Sequence, residues 1–204
     1  IGDRAIRFTL DCYEGAIKAY GRNRARHAIE HIELVSDEDV QRFRELEIIP
    51  SVQPEHLGLM PTWDGEEYRY VLGEERAGQT WRFKTLLDTA GVIALGSDCP
   101  VVDNNPFFAI HRGVTRLHDD DLPLGGWNPK EKLTVAELIK GYTCGSAYRV
   151  SREEELGTLE EGKLADIVII DRNLFEVSPE SIREAKVDMT IMDGKIIYSR
   201  KEQK

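Results

Sequence analysis

The sequence predicts an α/β fold, with a parallel sheet over residues 1–150 and a small β part over 151–204. Three observations carry this reading. Up to about Arg149, short apolar segments alternate with amphipathic helical segments, the order expected of βα units. The run VIALGS at 92–97 is apolar, as in a strand covered on both faces. After Arg149 the segments ADIVIID, VDMTIMD and KIIYS read as short strands, and Asp193-Gly194 between the last two is a strong hairpin signal.

Each element has its own signal. Residues 4–20 place Ile6, Leu10, Tyr13, Ile17 and Tyr20 three or four apart, which is helical spacing, and Gly21 stops the helix. Residues 25–35 alternate: Ala28, Glu30 and Ile32 share one side, while Ile29, His31 and Glu33 share the other, as in a strand. Ser36 followed by Asp37, Glu38 and Asp39 predicts a helix start, because acids suit the positive end of the dipole; that helix runs to about Leu46. Ile48 to Val52 is a short apolar strand. Residues 53–79 carry Gly, Pro and Trp without a period and read as a long functional loop. Thr80 opens a helix that Gly91 ends. Pro106 leads another to about Leu117, and Thr134 to Tyr148 forms a further one.

Composition narrows the function. Of 204 residues, 41% are hydrophobic and 31% charged, an ordinary globular balance. A net charge of -10 repels phosphate backbones, so nucleic acid is not an expected partner. No segment reaches the roughly 18 apolar residues that a membrane span needs. The cysteines are Cys12, Cys99 and Cys144, without CxxC spacing, which predicts free thiols in a reducing, cytoplasmic setting. GxSxG, GxGxxG and the phosphate-loop motif are all missing, which removes the common nucleophile, dinucleotide and nucleotide readings.

Five histidines and two other residues remain as chemical candidates. His31 lies near the end of the first strand, in HAIEH, and Asp98 at the end of another, in GSDCP. Catalytic groups of parallel α/β folds collect at the carboxyl ends of strands. An imidazole and a carboxylate there can share a divalent metal, and both suit zinc. The carboxylate is also a plausible base beside an activated water. Spacing alone favours a blander account, a satisfied core histidine and a turn aspartate. His27, four residues earlier on the same strand, stands about 13 Å from His31 at the usual rise, too far to share its ion. His56, after the second strand, either lines a pocket or is a solvated loop residue. Arg76 either holds a substrate carboxylate or pins the loop. His111 and His118 are expected to be exposed and inert on a surface helix.

Several segments together resemble the amidohydrolase superfamily. They are IGDRA at the start, RHAIEH at 26–31, SVQPEH at 51–56, LGEERAG at 72–78, ALGSDCPV at 94–101, GVTR at 113–116 and GTLEEGKLADIVIIDRNLF at 157–175. The branch they most resemble contains N-substituted formamide deformylase. The order of the set is what makes it specific, and it favours the chemical reading of His31 and Asp98. The resemblance implies the carboxy-terminal portion of a (β/α)8 TIM barrel, about helix 5 to helix 8, over residues 1–150, and part of a small β-sandwich over 151–204. It implies metal ligation by His31 and Asp98, proton transfer by Asp98, and substrate contacts from His56 and Arg76.

One departure is large. The chain has no HxH pair, and it begins at IGDRA, where relatives place another ligand just upstream. Two ligands do not make a tight zinc site, which takes three or four. The expectation is therefore a hydrolase of amide-type C–N bonds in small-molecule substrates for the parent protein, using metal-activated water. The chain in isolation is expected to be inactive and homo-oligomeric. The alternative is an inactive folding or self-association module.

Overall fold

Helix α1 (Asp3–Tyr20) starts the chain in the computed structural model, which describes residues 1–59 and 66–200. Its stripe works as spaced: Ile6 and Leu10 are fully buried, Tyr13 packs against the core, and Tyr20 is exposed. Gly21 closes the helix at φ 78°, and its N–H reaches the carbonyl of Ile17 at 2.8 Å.

Three parallel strands follow, β1 (Ala28–Glu30), β2 (Ile49–Val52) and β3 (Ala94–Leu95), in the order β1-β2-β3. Every residue of β2 is buried, as its central place demands. Helix α2 (Asp37–Glu45) connects β1 to β2, with its acidic first turn as expected. Its Phe43 and Val40 face the core.

Two predicted strands are shorter than their patterns. The alternation over 25–35 yields only Ala28–Glu30, because His31 (φ 70°) and Ile32 (φ 51°) leave the extended region. The apolar run 92–97 pairs only at Ala94 and Leu95.

The stretch 53–79 is a clear correction. It holds a 3-10 helix, Pro54–Leu59, and helix α3 (Glu66–Ala77), while residues 60–65 lie outside the described residues. The pattern hid α3 because Gly73, at φ 77°, interrupts it and, among its residues 68–77, only Tyr68 and Ala77 are buried. The helix expected at Thr80 begins instead with α4 (Phe83–Ala90), ended by Gly91 in the left-handed conformation. Thr80 is fully buried: its hydroxyl donates to the Ala77 carbonyl at 2.7 Å and accepts from the Trp127 indole at 2.8 Å.

Helix α5 (Pro106–Thr115) is capped by Asn105, whose side chain accepts from the Phe107 N–H at 3.0 Å. The expectation that His111 and His118 are exposed is overturned; they are 2% and 1% exposed. The 3-10 helices Pro54–Leu59 and Pro179–Glu184 both pack on α5 and bury the face that the sequence leaves polar. His118 Nδ1 donates to the Leu57 carbonyl at 2.9 Å.

Thr134 caps the next helix with a reciprocal box to Glu137. The helix runs through α6 (Val135–Lys140), a π-helical turn at Gly141–Gly145 and α7 (Ser146–Arg149). The glycines in the turn permit contact with β3: a Cβ on Gly145 would stand 2.0 Å from the Ile93 carbonyl oxygen. Ser146 Oγ, one residue on, donates to the Leu95 carbonyl at 2.9 Å.

The later residues form an antiparallel sheet of β4 (Ile167–Ile170), β5 (Val187–Met192) and β6 (Lys195–Ser199), in that order. Asp193 (φ 48°) and Gly194 (φ 74°) make the two-residue turn that Asp-Gly signals. Val168, Ile169, Ile196 and Ile197 remain exposed on this sheet. No described helix is long and apolar enough to cross a membrane.

Burial of His111 makes stability depend on pH. Burial, then the nearby Arg183 and Arg112 charges, hold its pKa down at about 4, against an ordinary 6.5. The unfolded chain therefore takes up this proton as pH falls through 6.5, and the folded chain only near 4. Stability is complete above 6.5 and falls between 6.5 and 4, by at most about 3 kcal/mol from this group. Thermal melts across that range should show the decline, with a shallower slope in His111→Gln.

Candidate metal centre

Beyond the carboxyl end of each of the three parallel strands stands one side chain of a type able to ligate a metal. His31 follows β1 directly, His56 sits in the 3-10 helix after β2, and Asp98 stands three residues after β3. His31 and Asp98 both have left-handed backbones, at φ 70° and 59°. For residues with a Cβ that conformation costs roughly 1–2 kcal/mol each, and such strain gathers at functional sites. Here it turns both side chains toward one place.

One donor atom from each of His31, His56 and Asp98 lies within 4.8 Å of the others. His31 Nδ1 stands 4.0 Å from Asp98 Oδ2, and the two imidazoles stack with centroids 5.8 Å apart. His56 is buried and directs Nε2 at the Ser97 carbonyl, 3.2 Å away. A carbonyl only accepts, so Nε2 carries the proton and Nδ1 keeps its lone pair. Burial pushes the His56 pKa below its ordinary value, against the Ser97 carbonyl and the Asp98 charge. The ring is thus neutral at neutral pH, the form that can ligate. His31 and Asp98 open onto a depression of about 330 Å³, together with Glu30, Gln53, Leu95 and Arg149. A larger groove of about 690 Å³ between α4 and α6 touches none of the three.

Two imidazoles and a carboxylate fit a borderline divalent cation such as zinc, which takes nitrogen and oxygen donors in a small, roughly tetrahedral set. They are three donors, one short of a closed protein site.

The sequence candidates divide accordingly. His31 and Asp98 come together, and His56 joins them rather than sitting on a solvated loop. His27 packs against the Tyr13 ring instead, at 4.8 Å. Arg76 donates to Asp3 of α1 at 2.9 Å. Sequence reasoning passed over Gln53, which the structure places against His31: its Oε1 lies 3.0 Å from His31 Nδ1. The only sequence signal was its position, one residue past β2 in SVQPEH.

Comparison with known proteins places the chain among related sequences and structures. A family model described as "Amidohydrolase family" matches residues 1–198. The protein LONG AFTER FAR-RED 3 of Arabidopsis thaliana is 34% identical over 97% of this chain and 33% of its own length. The N-substituted formamide deformylase of Arthrobacter pascens is 28% identical over 98% of this chain and 36% of its own. Among solved structures, an uncharacterized metal-dependent hydrolase from Pyrococcus horikoshii OT3 superposes with a TM-score of 0.71 and 27% identity, covering 88% of this chain and 34% of that one. The chain thus spans about a third of the length of these relatives.

Proposed function

We propose, from the premise that this chain belongs to the amidohydrolase family, that its parent protein hydrolyses a C–N bond of a small amide-type substrate by metal-activated water. The single observation that carries the reading is the convergence of His31, His56 and Asp98 at the ends of three adjacent parallel strands. In this reading residues 1–150 are the carboxy-terminal part of a (β/α)8 barrel, from about helix 5 to helix 8. Residues 151–204 contribute to a small β-sandwich, of which β4, β5 and β6 are one sheet. The free cysteines fit a cytoplasmic protein.

The residues divide the work as follows. His31 and Asp98 hold a divalent metal, and zinc suits their donors. Such an ion supplies a lowered pKa for water and a charge that polarises a carbonyl oxygen. Asp98 takes the proton of the attacking water and returns it to the leaving nitrogen. Its half-exposed side chain faces the depression, which leaves room for a substrate to approach. His56, with an unprotonated Nδ1, accepts a hydrogen bond from the substrate. The bare lone pair and the nearness of that ring to His31 and Asp98 support the assignment.

A second reading, self-association of the chain on its own, is favoured by two further features. Among the described residues, β1 and β3 each pair on one side only, and Val168, Ile169, Ile196 and Ile197 lie open to solvent. Unpaired strand edges and apolar patches invite a partner.

Three outcomes are expected. In the full-length enzyme, Asp98→Asn cuts turnover by about a hundredfold or more, the scale of general acid–base catalysis. Steady-state kinetics decide this, and near-normal turnover would remove Asp98 from the role. The isolated chain, with an incomplete donor set, retains no stoichiometric zinc after dialysis and shows no amidase activity; elemental analysis of the dialysed chain checks it. The same chain behaves as a homodimer or larger by light scattering, and a stable monomer at micromolar concentration would contradict the self-association reading.

A further inference from the structure

We infer that Gln53, held in place by Glu30 and Arg149, is a positioning residue that sets the tautomer of His31, keeping the proton on Nδ1 and the lone pair on Nε2. The ligand role of that lone pair rests on the function proposed above; the tautomer itself does not.

The inference follows from what each group can donate. Arg149, at the end of α7, donates from Nη2 to Glu30 Oε1. The other oxygen of Glu30 lies 3.4 Å from Gln53 Nε2. A carboxylate only accepts, so the amide of Gln53 must turn its NH₂ toward Glu30. Its carbonyl oxygen then faces His31 Nδ1 at 3.0 Å. That oxygen also only accepts, so Nδ1 must be the protonated nitrogen. Asp98 Oδ2, 4.0 Å from the same nitrogen, is a second acceptor making the same demand. Nε2 is left bare, which is the state a metal or an acidic proton requires.

The backbone is shaped for this. Successive strand residues normally point to opposite faces, so Glu30 and His31 would not both reach Gln53. The left-handed turn at His31, φ 70°, brings them to it together. The His31 N–H still donates to the Ser51 carbonyl at 2.9 Å, which ties the turn to β2, two residues before Gln53. Gln53 is 4% exposed, so water has little access to replace its carbonyl oxygen. A purely packing role would not need its amide oriented by an ion pair.

The test reads the tautomer directly in the metal-free chain. Long-range proton–nitrogen NMR of the histidine-labelled protein, at about pH 8 where an ordinary imidazole is neutral, distinguishes the two forms, with His31→Gln supplying the assignment. The expected result is Nδ1–H at His31, whereas a free imidazole in water favours Nε2–H. Gln53→Leu should move His31 toward Nε2–H, and Gln53→Glu, which keeps an acceptor, should restore Nδ1–H. An Nε2–H tautomer in the unsubstituted chain would overturn the inference without recourse to any variant. So would an Nδ1–H signal unchanged in folded Gln53→Leu, which would hand the role to Asp98. In the full-length protein Gln53→Leu should also weaken zinc binding by about 10- to 100-fold. A full-length protein that holds no zinc at His31 would defeat the proposed function while leaving the tautomer result standing.

Discussion

Ser51 pairs with Glu30 on one side and with Ala94 on the other, and this shared register sets the position of everything at the site. Its carbonyl accepts the first N–H beyond β1, that of His31, at 2.9 Å. Parallel strands in register end side by side, about 4.8 Å apart. Side chains just beyond the ends of β1, β2 and β3 therefore emerge at the same edge of the sheet, and the left-handed backbones of His31 and Asp98 accompany their approach across β2. Donor atoms of His31, His56 and Asp98 lie within 4.8 Å of one another there.

Holding the register requires close packing behind the sheet. The π-helical turn at Gly141–Gly145 lets the helix lie directly on β3, and any side chain at Gly145 would collide with the Ile93 carbonyl. π-turns inside helices often mark functional sites. Here the turn braces the strand that leads to Asp98, and the same helix ends at Arg149, whose guanidinium holds Glu30. One helix thus supports both ends of the donor cluster.

The layer around α5 solves a different problem, that of burying charge. Arg116 is fully buried, with Nε donating to the Trp127 carbonyl at 2.8 Å and its guanidinium 4.9 Å from the Phe83 ring centroid. Burial pushes its pKa down to about 9, against the field of Glu131. Arg112 is nearly as deep and is held by Asp119 and the Leu117 carbonyl. A cation in such surroundings needs these partners, because desolvation alone costs several kcal/mol. The histidines of this layer, His111 and His118, are structural, and neither belongs to the donor cluster.

By itself the sequence determined the local elements. Ile6, Leu10 and Tyr13 at helical spacing, Ser36 before three acids, Pro106 and Asp193-Gly194 each encode a structure within a few residues, where propensity and capping act. It also placed His31 and Asp98 near the carboxyl ends of strands, since one stands late in an alternating segment and the other just past the run VIALGS. Tertiary structure alone decided the rest. It chose His56 over His27 for the cluster, because strand register rather than sequence distance sets which side chains meet. It buried His111 beneath a segment some seventy residues later, a contact that no periodicity within α5 announces. And it set Gln53 between Glu30 and His31, since the direction of an amide depends on what stands at each end of it, and those neighbours, with the Arg149 that holds Glu30, come from two other stretches of chain.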